Sequence, residues 1–497
     1  MKKSFYITTP IYYVNDKPHI GHAYTTILAD VFARYHRKKG QKTFFLTGLD
    51  EHGQKVQQAA QENSVSPKQH CDGMVTRFTD LWEKLHISND DFIRTTEDRH
   101  KKVVQKILSK VFKSGDIYEA EYEGLYSVSE ERFITEKEAG TGNFRDIKKL
   151  KEKNYFFKMS NYQNTLIKYI QDNPNFIQPL HRKNEILGFL RQPLNDLCIS
   201  RPKTRLDWGI ELPFDNNYVT YVWFDALINY ITAPGYGENK EKFKEFWPAS
   251  YHLIGKDILT THAVYWPTML MSAGIELPET IFAHGWWLMG DSKMSKSIGN
   301  VVNPIDLIDD YGVDPVRYFL MREMVLGQDS NFTMELFINR YNSDLANDFG
   351  NLLSRVSTLM KKNYNGEIPS PGELNESELN IKRDSIVLNK SVDKMMRKMQ
   401  LNESIELIMK FVRNVNKYME NNAPWKLVKK DLKAAATVLY TAAEALRISA
   451  VLLSPIMPNR TEILLETFNA KGTNEKWGGL LPGSKIKDHE PLFPRLK

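Results

Sequence analysis

The chain has 497 residues, 41% of them hydrophobic and 26% charged, with a formal net charge of +6, which points to a soluble globular protein of about two to four domains and excludes a disordered or fibrous one. The only cysteines, Cys71 and Cys198, lie far apart, so neither a disulfide framework nor a four-cysteine metal site is available and a reducing compartment is expected. Met1-Lys2-Lys3 leads into no apolar signal core, and no run of 18 apolar residues occurs, so the expectation is a cytoplasmic protein without membrane insertion.

In chain order, residues 5–8 are β-prone, Pro10 and Pro18 bracket a loop, and Tyr24, Ile27, Leu28, Val31, Phe32 and Tyr35 recur at helical spacing. A second strand over 43–47 ends at Gly48, completing the first unit of a doubly wound parallel sheet, where ligands sit beyond the carboxyl ends of the strands. From 116 to 222 short aromatic runs such as Tyr155-Phe156-Phe157 and many charges replace the long amphipathic segments, as in an inserted domain. The α/β pattern resumes at Tyr221-Val222-Trp223-Phe224. Beyond 340 three apolar stripes appear: Leu345, Phe349, Leu352 and Val356; Ile405, Ile408, Val412 and Val415; and Val438, Ala442, Leu446 and Leu453. They predict a helix bundle, with residues 365–378 as a loop inside it.

Two short motifs carry chemistry. His19-Ile20-Gly21-His22 opens the first helix, where backbone N–H groups and the dipole favour an anion. Its two histidines share one face of the first turn and offer ring N–H donors to phosphate, and Gly21 lets a flat adenine approach the backbone. For such a short match alone, capping or surface histidines are the commoner explanation. Far downstream, Lys293-Met294-Ser295-Lys296-Ser297 follows Trp286-Trp287-Leu288-Met289 and Gly290-Asp291. Two lysines on a flexible loop can close over a triphosphate and neutralise departing pyrophosphate, although an exposed basic loop is common. Together and in this order, the pair are the HIGH and KMSKS signatures, and the chain resembles the class I aminoacyl-tRNA synthetases.

Thr8-Thr9-Pro10-Ile11-Tyr12-Tyr13, Leu46-Thr47-Gly48-Leu49-Asp50-Glu51-His52-Gly53, Tyr221-Val222-Trp223-Phe224-Asp225-Ala226 and Leu253-Ile254-Gly255-Lys256-Asp257 extend the resemblance to the methionyl-tRNA synthetases, from Phe5 to about Pro458. The resemblance implies a Rossmann-like catalytic domain over 1–115 and 223–340, an inserted connective domain over 116–222, and an all-α anticodon-binding bundle over 341–497. It implies a methionine pocket of Ile11, Tyr13, Trp223, Ala226, Tyr230, Ile258, His262 and Trp266, with Asp50 holding the α-ammonium group. Magnesium-bound ATP would meet His19, Gly21, His22, Gly255, Asp257, Trp287, Lys293 and Lys296, of which His19, His22, Lys293 and Lys296 are the implied catalytic set. Asn351, Arg355 and Trp425 match anticodon-contacting positions, for initiator and elongator methionine tRNAs alike.

The residues themselves agree with that assignment. A polarizable thioether is well received by aromatic edges, at about 0.3 to 1.5 kcal/mol per contact, and an exposed Trp beside Asn and Arg suits an unstacked RNA base. Core aromatics and a capping Asp would account for most such residues taken singly. The insertion, about 105 residues, is too short for the editing domain that synthetases for branched amino acids use to separate substrates one methylene apart.

One departure stands out. Ser127 and Glu130 occupy positions where relatives carry a cysteine pair, residues 140–145 supply no second pair, and neither Cys nor His occurs between His100 and His181. No structural zinc is expected, and packing of Tyr126, Phe133 and Phe144 is the expected substitute. The chain stops soon after Pro458, without the dimerising domain of some relatives, from which a monomer is expected. Two rival readings are a nucleotidyltransferase outside translation and an RNA-binding protein without catalysis. The helical stripes with Asn351, Arg355 and Trp425 oppose the first, and the intact His19, His22, Lys293 and Lys296 oppose the second.

Overall fold

A computed structural model describes residues 4–14, 18–127, 132–134, 139–140, 147–289, 292–293, 302–470, 472 and 474–496. The chain forms two compact units, each assembled from separate stretches: Met1–Pro18, Gln41–Glu83 and Ser88–His284 in one, and His19–Gly40, Lys84–Ile87 and Gly285–Lys497 in the other.

The first unit is built on a six-stranded sheet in the order Asp91–Arg94, Lys42–Asp50, Ser4–Tyr13, Tyr251–Gly255, Ile281–His284 and Ile177–Gln178. Every neighbouring pair is parallel. The earliest strand lies inside the sheet with later strands on both sides, so the order reverses beside it, and ligands bind at such a reversal in open α/β sheets. Both strands read from the sequence run further than expected. Ser4–Tyr13 continues through Pro10, where the pairing with the second strand is irregular between Thr8 and Ile11; a residue without an N–H is tolerated at such a break. Lys42–Asp50 continues through Gly48, where a β-carbon would stand 2.1 Å from the carbonyl oxygen of Ile93 on the next strand. Gly48 therefore permits close strand approach and does not end the strand.

The inserted stretch forms a four-stranded sheet whose two long members, Ile117–Ser127 and Ile147–Phe157, pair antiparallel along their whole length. Exposed ion pairs Lys153–Glu119, Lys151–Glu121 and Lys149–Glu123 run along this ribbon. Glu130 at the zinc-like position, Phe144 and the side chains of Tyr126 and Phe133 expected to replace the metal all lie outside the described residues.

In the second unit the three stripes fall on helices and are buried throughout. Leu432–Leu453 is long and apolar enough to cross a membrane, yet it is buried inside this unit as a core helix. The loop expected over 365–378 is shorter than that: Asn375 caps a 22-residue helix, Glu376–Arg397, in a capping box with Glu378. Glu378 is then buried and accepts a hydrogen bond from the Tyr418 hydroxyl. The helix that opens at the histidine motif, Ile20–Lys38, belongs to this unit. Fully buried Arg317 bonds Asp30 on that helix at 2.6 Å and also donates to the carbonyls of Leu85, Pro455 and Ile456. At the helix's other end, Lys38 pairs with Glu475 at 3.0 Å and Lys39 with the same carboxylate at 2.9 Å.

Candidate active site and anticodon-reading surface

At the carboxyl ends of the first two strands lies a cavity of about 290 Å³, lined by Pro10, Ile11, Tyr13, Asp50, Lys55, Tyr221, Trp223, Ala226, Leu227, Asn229, Tyr230, Ile258 and His262. Tyr13 and Asp50 end adjacent strands and are register partners, which is why residues far apart in sequence meet here. Eight of the nine residues assigned to a methionine pocket line this cavity. Trp266 does not. It is fully buried, its ring 6.0 Å from that of Tyr230, with its indole N–H bonded to His252 Nε2 at 3.3 Å. It backs the wall as a supporting layer.

The wall chemistry is set by hydrogen-bond directions. His262 Nδ1 lies 3.0 Å from the carbonyl oxygen of Ile258, which can only accept, so this nitrogen carries the proton. Nε2 is then the acceptor, and the Tyr230 hydroxyl donates to it at 2.8 Å. Burial pulls the His262 pKa down to about 4, against the opposing influence of the Ile258 bond and Asp257. Near pH 7 the ring is neutral, and the cavity offers a tyrosine–histidine pair without positive charge.

Asp50 is anchored through the two residues next in the chain. Buried Glu51 is bonded by Arg94 at 2.7 Å and by the Thr96 hydroxyl, and His52 reaches Asp225 at 2.7 Å. Lys55 and Asn229 went unnoticed in the sequence. Lys55 lies in the helix Gln54–Glu62, immediately after the Asp50 segment, and that adjacency was the available signal. Nothing local distinguished Asn229, whose amide donates to the carbonyl of Ala226 at 2.6 Å. Nor did anything mark buried Arg201, whose guanidinium lies 3.8 Å over the ring of Tyr221.

At the end of the fourth strand in the sheet order, a β-carbon at Gly255 would stand 2.5 Å from Oδ1 of exposed Asp257 and would oblige that side chain to turn away.

In the second unit His19 is the N-cap of Ile20–Lys38. Its Nδ1 accepts from Gly21 N–H at 3.0 Å, and His22 Nδ1 accepts from His19 N–H at 3.1 Å. The histidines thus occupy two of the backbone donors that the sequence reading had offered to an anion. With Nδ1 accepting in both rings, each neutral imidazole keeps its proton on Nε2. The structure also supplies a nearer reason for Gly21: a β-carbon there would stand 2.9 Å from the folded-back His19 ring. Trp287 is buried against Tyr24, Phe319 and Phe332, and its indole N–H has no hydrogen-bond partner among the described residues. Lys293 closes the short strand Ser292–Lys293; Lys296 lies outside the described residues.

Also in this unit, Asn351 is exposed and Arg355 half-buried on the helix Asn351–Asn363. The Arg355 guanidinium lies 4.9 Å over the ring of Trp425, which is 37% exposed. Asn422 ends the preceding helix Leu401–Asn422 and donates back to the carbonyl of Tyr418. The break comes at Ala423, in left-handed backbone with φ +41°, and Pro424 then opens the short helix Pro424–Leu427.

A parallel sheet with its order reversed at the earliest strand, a histidine-capped first helix and a Lys-Met-Ser-Lys-Ser run are the marks of the class I aminoacyl-tRNA synthetases. The family model described as "tRNA synthetases class I (M)" matches residues 5–143 and 141–357, and that described as "Anticodon binding domain of methionyl tRNA ligase" matches 368–485. The chain is 47% identical to the methionine–tRNA ligase of Caldanaerobacter subterraneus subsp. tengcongensis and 48% to that of Clostridium tetani, in each case over 100% of this chain and 79% of the relative. A solved structure of Mycobacterium tuberculosis methionyl-tRNA synthetase in complex with methionyl-adenylate is similar over 100% of both chains, with a TM-score of 0.95 and 39% identity. The chain belongs to the methionyl-tRNA synthetase family.

Proposed function

We propose that this chain joins methionine to its tRNA at the expense of ATP, with the 290 Å³ cavity as the methionine site. The observation that carries the proposal is the convergence there of one carboxylate, Asp50, with a neutral aromatic and aliphatic wall. Asp50 takes the α-ammonium group. Trp223, Tyr13, Ile11, Ala226 and Ile258 surround the unbranched side chain, and the Tyr230–His262 pair faces the thioether.

In the first step a methionine carboxylate oxygen attacks the α-phosphorus of ATP, and pyrophosphate leaves with its bridging oxygen and the electron pair of the broken bond. In the second, a hydroxyl of the 3′-terminal adenosine of tRNA attacks the activated carbonyl and AMP leaves. ATP enters as its magnesium complex, the magnesium being part of the substrate. No side-chain nucleophile is needed, so catalysis rests on positioning and on charge stabilisation. His19 and His22 present Nε2–H donors to phosphate oxygens, Lys293 and Lys296 neutralise the leaving pyrophosphate, and Gly21, Gly255, Asp257 and Trp287 hold the nucleoside. Asn351, Arg355 and Trp425 read the anticodon. The inserted domain is proposed to fold without zinc, and the enzyme to work in the cytoplasm. The deciding experiment is ATP–pyrophosphate exchange with each of the twenty amino acids: methionine should dominate, and a dominant response to any other removes the assignment.

A further inference from the structure

We propose that Asp225 is a positioning residue for methionine: through two histidine hydrogen bonds it fixes the turn carrying Trp223 and Ala226 against the strand end carrying Asp50. The inference rests on the reading of the cavity as the methionine site. Asp225 is fully buried. Its Oδ2 accepts from His52 Nδ1 at 2.7 Å and its Oδ1 from His100 Nε2 at 2.7 Å. Burial alone would raise its pKa, but the two histidines hold it at about 2, so both facing nitrogens meet an ionised acceptor and both must carry hydrogen.

The three segments joined at this carboxylate also share an apolar core that includes Phe224, Leu227, Val103 and Val104, to which the two charge-assisted bonds add direction. Val222–Ala226 is a five-residue helix without a side-chain cap, too short to be stable by itself. Trp223 and Ala226 flank Asp225 and both line the cavity. His52 stands two residues beyond Asp50, and His100 comes from the helix Asp98–Lys113. The other nitrogen of His100, Nδ1, is buried without a hydrogen-bond partner among the described residues. Burial of such an atom is unfavourable, and the arrangement spends it on directing Nε2 at Asp225. A carboxylate with two fixed donors thus sets the distance between the wall that surrounds the side chain and the group that takes the ammonium.

Methionine-dependent pyrophosphate exchange tests this with five variants. Asparagine places a donor near histidine Nδ1, and glutamine places one near Nε2, so His52→Asn and His100→Gln keep the bonds that His52→Leu and His100→Leu remove. Asp225→Asn keeps the shape but can accept from only one histidine. The two Leu variants and Asp225→Asn should raise the KM for methionine on the order of ten- to a hundredfold, with the KM for ATP within about twofold of wild type. His52→Asn and His100→Gln should recover most of the loss. Equal damage in donor-keeping and donor-lacking variants, equal rises in both KM values, or an unchanged methionine KM would each overturn the proposal. If circular dichroism shows the Leu variants unfolded, the near-isosteric pair His52→Asn and Asp225→Asn decides by the same criterion. A wild-type enzyme that does not respond to methionine overturns the reading of the cavity and this proposal with it.

Discussion

Replacing Trp425 by alanine separates tRNA reading from amino-acid activation. The ring is 37% exposed and carries Arg355 at 4.9 Å, so its loss removes one cation–π contact at an exposed site, about 0.5–1 kcal/mol, and leaves a domain of ordinary stability, about 5–15 kcal/mol, folded. A stacked anticodon base is worth about 1–3 kcal/mol, which converts to about 5- to 150-fold in kcat/KM for aminoacylation. Pyrophosphate exchange involves no tRNA and should stay at the wild-type rate. Trp425→Phe, which keeps a smaller stacking face, should fall between wild type and alanine. Arg355→Ala should also act only on aminoacylation, and because its guanidinium and the base share one ring, the double variant should lose less than the product of the two single losses. An equal loss in both assays would refute the reasoning by showing Trp425 to be a packing residue, and a loss in neither would remove it from the anticodon surface.

Lys296→Ala should slow single-turnover adenylate formation far more than it weakens methionine binding; a wild-type rate would end the role given to this loop. Metal analysis of the purified protein should find no stoichiometric zinc, and chelators should leave activity intact once magnesium is restored. His262, with a folded pKa near 4 set by burial, lies below the unfolded value of about 6.5, so the folded state binds fewer protons between those values. Its contribution is complete above about pH 6.5 and is lost as pH falls through the window, about 3 kcal/mol in all. Urea midpoints at pH 7 and pH 4.5 should differ more in wild type than in His262→Gln, and identical differences would contradict the buried neutral ring. Burial pushes the Cys71 thiol up to about 12, so a disulfide reagent at pH 8 should modify partly exposed Cys198 first and Cys71 only on unfolding.

Much of this was legible because the chemistry is written in contiguous motifs. Asp50, Trp223, Ala226 and the residues around them stand in short runs whose family pattern is distinctive, and the three apolar stripes announced their helices by spacing alone. Gly48 was misread because a glycine that ends a strand and one that lets a neighbouring strand approach look alike until Ile93 is placed beside it. The helix Glu376–Arg397 escaped notice under a run of polar residues, although Asn375 and Glu378 spell its capping box and Ile381, Ser385, Leu388, Val392 and Met396 form its buried side. Arg201 and the His52–Asp225–His100 cluster could not be read at all, since their significance lies in pairings across long stretches of chain. Trp266 lies behind the Tyr230 ring in this structure, and sequence does not distinguish a wall from its backing.

The fully buried bond between Asp30 and Arg317 makes one cooperative body out of stretches that are remote in sequence. Any break in the chain between Ser88 and His284 puts the two ends of that bond on different fragments. A fragment from the N-terminal side would retain Asp30, still paired with Arg34 on its own helix, and the Leu85 carbonyl, but not the buried guanidinium that joins both to the later stretches. Amides of Ile20–Lys38 should accordingly exchange with solvent at the rate of the C-terminal helices and not at that of the sheet strands near them in sequence. During synthesis this helix must wait for nearly three hundred further residues before its partner emerges, so the motif that is read first is among the last to be locked in place.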